Sequence, residues 1–225
     1  MNVIGIALEE LYRIFRILNR DKFDNELPEP VITIQKTSGR TLGHFTVDKV
    51  WRNKQNVEDN NIAVDENDEA AYYEINIDPR WFYKCTAEEI VDTLLHEMVH
   101  YRNKVADIKD CNGQNHNKNF KSLAESVGLV VEKGAGVGWG YTSLSDELRV
   151  YIAEEIKPNE EAFEYFRTGT IKAVKPRKKT TFKYTCPDCG LIAKGKRDIP
   201  IKCGACDVVM EMEDDPDNES DDSDS

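Results

Sequence analysis

The chain has no apolar run approaching the roughly 18 residues needed to cross a bilayer. Its opening residues, Met1 to Glu10, contain neither a basic segment nor a small-residue cleavage site. Neither membrane insertion nor secretion is expected, and the expected location is cytoplasmic. No internal repeat is present. Lys and Arg are absent from Glu211 to Ser225, where nine acidic residues account for most of the net charge of −12, so the acidity belongs to the tail more than to the body. Histidine is limited to four residues in 225, which makes a close pair of them informative. Against these shortages, a 40% hydrophobic content supplies a core and excludes a wholly disordered chain. The length suits one domain of ordinary size with an appendage.

Cysteine is sparse but patterned. Cys186 and Cys189 form one C-x-x-C pair and Cys203 and Cys206 a second, while Cys85 and Cys111 stand alone. Without a secretory leader this pattern indicates metal ligands plus two ordinary thiols in a reducing compartment. Charge is patterned too. From Arg167 to Lys202, eleven Lys and Arg face only Asp188 and Asp198, so an acidic body is followed by a basic segment and an acidic tail.

Leu8, Leu11, Tyr12, Phe15 and Leu18 recur at helical spacing and predict an amphipathic helix that stops before Leu27-Pro28. β-rich stretches follow at 31–34, 41–46 and 72–77, which suggest a small sheet. Asn56 to Glu69 reads as a loop broken by a short strand around Ile62 to Val64. Thr86 and Glu89 form a capping-box pattern ahead of Ile90, Val91, Leu94, Leu95, Met98 and Val99, the best-defined helix of the chain. Further helices are expected at about 118–127 and 145–156. Gly134, Gly136, Gly138 and Gly140 surround Trp139, lack both the P-loop ending and the dinucleotide fingerprint, and read as a flexible turn. Arg167 to Thr181 reads as a linker.

Within the capped helix lies His96-Glu97-Met98-Val99-His100, an H-E-x-x-H motif. A spacing of four puts both imidazoles on one helix face, where they can hold one zinc ion, and Glu97 sits where it can take a proton from the water that zinc activates. A catalytic zinc takes three protein ligands and keeps a position open. The metzincin pattern would need glycine at position 103 and histidine at 106, but the chain has Asn103 and Ala106. Two candidates for the third ligand remain, His116 at a loop-to-helix junction and Glu125 on the following helix. Tyr101, Tyr141 and His44 are candidates to stabilise a tetrahedral oxyanion, although His44 is equally an ordinary strand residue. The strand 42–46 could pair with an extended substrate.

Two C-x-x-C knuckles thirteen residues apart supply four thiolates for a closed, structural zinc site at Cys186, Cys189, Cys203 and Cys206. The redox reading of C-x-x-C needs a thioredoxin-like setting, which is missing. Lys183, Lys194, Lys196 and Arg197 decorate this ribbon, Arg177, Lys178 and Lys179 lie just upstream, and Phe182 and Tyr184 are interleaved. Such residues can contact phosphate and stack on unpaired bases, or can equally be a solvated basic surface.

Thr93-Leu94-Leu95-His96-Glu97-Met98-Val99-His100, the Asn-Gly stretch before His116, and Phe120 resemble the SprT-like metalloprotease domain, the family of bacterial SprT and eukaryotic Spartan. The resemblance reaches upstream to Gly39-Arg40-Thr41-Leu42-Gly43-His44-Phe45, covers roughly residues 5 to 130, and includes a C-terminal zinc ribbon; the Gly-rich stretch and the helices from about Ser143 to Phe166 have no counterpart in it. It implies zinc ligands at His96, His100 and His116, a catalytic Glu97, and, from the Spartan-like members, cleavage of proteins crosslinked to DNA.

The expectation is thus an α+β, zincin-like metalloprotease domain over 1–142, a helical extension and basic linker over 143–180, a zinc ribbon over 181–213 and an acidic disordered tail over 214–225. It would carry two zinc ions, one catalytic and one structural, and act on a protein substrate with DNA as partner. The alternative is a nucleic-acid-binding ribbon protein whose histidine site is only structural.

Overall fold

A computed structural model describes residues 2–39, 41–52, 71–168 and 181–213. Two compact units divide near Ile171, and the α+β class expected from the sequence holds.

In the first unit, helix α1 (Val3–Lys22) starts where the Asn2 side chain accepts from the Gly5 N–H. It buries Leu11, Ile14, Phe15 and Leu18 completely or nearly so, each worth roughly 1.5–3 kcal/mol of transfer free energy. The chain then forms β1 (Val31–Ile34), β2 (Gly43–Phe45), β3 (Trp51–Arg52), β4 (Ala71–Tyr72) and β5 (Glu74–Ile77). Strand β5 lies between β1, which it pairs in parallel, and β2, which it pairs antiparallel with His44 opposite Asn76. Among the described residues, strand β2 is therefore an edge. Strands β3 and β4 make a separate two-stranded ribbon.

Helix α2 (Ala87–Val105) opens on the predicted capping box, with both reciprocal hydrogen bonds of Thr86 and Glu89 formed. It is the centre of the unit. Leu94, Leu95, Met98 and Val99 are fully buried, and the helix packs against α1, β2 and β5. The elements that follow it are β6 (Cys111–Asn112), β7 (Asn115–His116), α3 (Lys118–Ser126), β8 (Leu129–Gly134), β9 (Gly138–Leu144) and α4 (Asp146–Tyr151), of which α3 and β9 also pack against it. Strands β6, β7, β9 and β8 form a second sheet in that order.

The Gly-rich stretch, expected as a flexible turn, holds a turn at 135–137 that is the tip of the β8–β9 hairpin, and it runs on into the first residues of β9. Glycine content pointed to a turn, but cross-strand pairing extends the order through Leu144. Residues after 142, set apart in the sequence reading, also lie within this unit. Leu148, Ile152, Ile156, Ala162 and Phe163 join the same core. The Asn159 N–H donates to Glu10 and the Ala87 N–H to Glu160, tying the segment to α1 and to the start of α2.

The second unit is a three-stranded ribbon of β10 (Phe182–Thr185), β11 (Ile192–Gly195) and β12 (Glu211–Met212), with β10 in the middle. Among the described residues its buried core is Phe182, Tyr184, Cys186, Cys203 and Met210, with Ile201, Val208 and Met212 among the partly buried residues packed against it. The loop expected at 56–69, most of the linker including Arg177, Lys178 and Lys179, and the tail from 214 onward lie outside the described residues. No helix among the described residues is long and apolar enough to cross a membrane.

Candidate metal centre

Helix α2 carries His96 and His100 on one face, as their spacing predicts. The chain leaves the helix through Asp107, in the left-handed region, and returns along the β6–β7 hairpin to present His116 from β7. Asn117 then caps α3, accepting from the Asn119 and Phe120 N–H groups. The ligand nitrogens of His96, His100 and His116 lie within 4.8 Å of one another, and the Nε2 atoms of His100 and His116 are 3.0 Å apart. Phe120, fully buried, is the floor of the site, with its ring centroid 4.4–4.8 Å from those of the three imidazoles.

The other ring nitrogen of each histidine is engaged. His96 Nδ1 meets Thr142 Oγ1 at 3.0 Å, His100 Nδ1 meets Asp110 Oδ2 at 2.6 Å, and His116 Nδ1 meets the Val137 carbonyl at 3.0 Å. A carbonyl only accepts, so the proton of neutral His116 is on Nδ1 and its Nε2 lone pair faces inward. Two inward nitrogens 3.0 Å apart require a proton or a cation between them. Three imidazoles converging in this way fit zinc with one position left open.

Charge follows the same logic. Burial and the neighbouring histidines hold His96 well below its ordinary value, and burial likewise lowers His116. Burial is the largest influence on His100 and opposes its charge, but the hydrogen bonds to Asp110 and Cys111 and the nearby Glu97 and Asp110 carboxylates together outweigh it and lift the group to about 10. Glu97 is 6% exposed. Burial raises its carboxyl to about 7, against the pull of His100 and of the Phe45 backbone N–H that donates to it. One helical turn before His96, burial pushes the Asp92 carboxyl up to about 6, and its Oδ1 has no hydrogen-bond partner among the described residues.

A cleft of about 690 Å³ opens over the centre. Thr41, Gly43, His44 and Phe45 line one side, and Lys104, Asp107 and Gln114 are among the residues lining the rest. Among the oxyanion candidates only His44 lines this cleft. Tyr101 is buried in an aromatic cluster with Phe45 and Tyr73, and its hydroxyl donates to the Pro28 carbonyl. Tyr141 is 57% exposed and is not among the lining residues. Glu125, the alternative third ligand, sits on the outer face of α3 with Lys121 and is not part of the cluster.

Three features of the site escaped the sequence reading: Asp110, Thr142 and the glycines of β9. A signal existed for Asp110, an acidic residue in the short connection between two histidines. Thr142 gave none. The glycines were visible, but not what they make room for. A Cβ on Gly138 would stand 2.3 Å from the His116 carbonyl oxygen, and Gly138 also has φ +62.

In the ribbon unit the four cysteine sulfurs also lie within 4.8 Å of one another. The two knuckles repeat the same bonds: Gly190 N–H donates to the Cys186 carbonyl and Asp207 N–H to that of Cys203, both at 2.9 Å. Backbone N–H groups of Cys206 and Ala205 draw the Cys203 thiol down to about 7, toward the thiolate a metal needs. Lys183 and Lys194 are cross-strand partners on β10 and β11. Lys183 is engaged by Glu213, and Arg197 lies over the Phe182 ring with Asp198 beside it. Phe182 and Tyr184, expected to be available for base stacking, are core residues instead, with the Tyr184 hydroxyl donating to the Lys196 carbonyl. Both rings pack with Cys186, Cys203 and Met210 in the small core of that unit.

A mixed α+β domain whose central helix presents two histidines and a buried glutamate to a third histidine has the make-up of a metalloprotease-like centre. The chain belongs to the SprT-like family, whose profile matches residues 11–137, more than half of the sequence. Strand β9 lies beyond that match. No curated protein and no solved structure matches the chain.

Proposed function

We propose that this protein is a zinc-dependent metalloendopeptidase, with His96, His100 and His116 as ligands and Glu97 as the catalytic residue. The observation that carries the reading is Glu97 itself, a buried carboxyl raised to about 7 beside three converging imidazoles at an open cleft. A purely structural metal site has no use for such a group. Zinc bound there would lower the pKa of water and polarise the scissile carbonyl. Glu97, poised near neutrality, accepts the proton of the attacking water and returns it to the leaving amine. The Phe45 N–H holds the carboxylate in place for that transfer. Strand β2 flanks the cleft, so an extended substrate can pair with the backbone groups of its outer side other than the Phe45 N–H.

For the substrate we propose proteins bound or crosslinked to DNA. Lys183, Lys194, Lys196 and Arg197 on the ribbon, with Arg177, Lys178 and Lys179 upstream, would supply contacts to phosphate, and the four cysteines would hold a second, structural zinc. The test is cleavage of a protein crosslinked to an oligonucleotide, with metal content measured alongside. The full chain should cleave and carry two zinc ions. Glu97→Gln should keep both ions and lose activity by about 10²-fold or more, and His116→Ala should lose one ion. Full activity in Glu97→Gln would refute the assignment.

A further inference from the structure

The three ligand imidazoles are steered by three chemically different groups: a hydroxyl, a carboxylate and a main-chain carbonyl. Rotation about the bond to an imidazole ring has only a broad preference, so a helix can place His96 and His100 on one face without aiming their Nε2 atoms. Something outside the ring must do so. For His116 it is the Val137 carbonyl. We propose that Asp110 and Thr142 are the positioning residues for His100 and His96, and that strand β9 is thereby part of the metal centre. This rests on the reading of the three histidines as a zinc site.

Both groups are themselves held. Asn103, 2% exposed on α2, donates from Nδ2 to the same Asp110 Oδ2 at 3.3 Å, and the Asp110 carbonyl accepts the Asn117 N–H at 2.8 Å. The residue that breaks the metzincin spacing thus steadies the partner of His100. Asp110 is fixed from both sides, by the helix that carries His100 and by the cap that follows His116. Thr142 is paired with Val131 in the β8–β9 hairpin, whose ends bury Leu129 and Leu144, so its hydroxyl has a fixed address. The Asp92 carboxyl lies beside that hydroxyl. A ligand ring held in this way keeps its proton on Nδ1 and its Nε2 lone pair on the metal, and removing such a partner commonly weakens metal affinity by about 10- to 100-fold.

The test is a chelator competition on the full chain loaded with Co²⁺, in which thiolate charge-transfer absorption reports the ribbon and total bound cobalt less that share reports the histidine site. Thr142→Val, which keeps shape and strand preference, and Asp110→Asn should each weaken the histidine class by about 10-fold or more while leaving the ribbon class unchanged. Because Asp110 also pairs with His100 in the metal-free chain, the stability control is read on Thr142→Val, whose metal-free melting temperature should stay close to wild type, and Thr142→Ser should restore affinity. Histidine-class affinity indistinguishable from wild type in both variants would overturn the proposal. So would a loss that follows metal-free stability and is not rescued by serine, since that marks packing rather than positioning. A wild-type chain with only the ribbon class would overturn the zinc-site reading itself, and this inference with it.

Discussion

Gly140 and His116 touch so closely that a Cβ on Gly140 would lie 2.5 Å from the His116 Nδ1 and 2.8 Å from Cε1. The imidazole lies against bare backbone, with its Nδ1–H directed to the Val137 carbonyl of the same hairpin. Gly140→Ala should push the ring off that carbonyl and misdirect Nε2. The expected outcome is a fall of about 10-fold or more in zinc affinity at the histidine site, with the ribbon zinc retained, measured by chelator competition.

Phe120 supports all three imidazoles from beneath. Phe120→Ala should cost about 3–5 kcal/mol, read by denaturant unfolding of the first unit, and should loosen metal binding at the same time. Phe120→Leu should cost less, because it refills much of the volume.

Asp92 makes stability depend on pH. Its carboxyl titrates at about 6 in the folded chain against a reference of 3.8, so the unfolded chain gives up this proton first and ionisation penalises the folded state. Stability should fall as pH rises from about 4 to about 6, by up to about 3 kcal/mol. Asp92→Asn should match wild type below pH 4 and exceed it above pH 6. Thermal melts of the metal-stripped chain across that range check the sign.

Among its described residues the ribbon has five buried core residues, two of them cysteines. Its folding should therefore follow its metal. Cys203→Ser should lower the zinc content by one and expose the segment from about 181 to 213 to protease, while the melting transition of the first unit stays where it was.

Much of this protein was legible from local patterns. The capping box at Thr86 and Glu89 announced α2, the i, i+4 spacing announced His96 and His100, and the repeated C-x-x-C announced the four-cysteine cluster. Each is a signal whose parts lie within a few residues, where helix or turn geometry leaves little freedom. The β8–β9 hairpin was not legible, because its glycines argue locally for a turn and only pairing with β7 and β8 orders them. The stacking role expected for Phe182 and Tyr184 failed for a related reason, since a unit of this size buries the aromatics it has.

By itself, then, the sequence determined the chemistry on offer: two histidines and a glutamate on one helix, a third histidine within reach, and four thiols in two knuckles. Only the tertiary structure decided how that chemistry is aimed. It brought His116 rather than Glu125 to the other two histidines, buried Glu97 against β2, and set Asp110, Val137 and Thr142 behind the three imidazoles across separations of 10, 21 and 46 residues. Helical periodicity fixes neighbours four residues apart, but contacts at those distances follow from chain reversal and core packing, which no local pattern encodes.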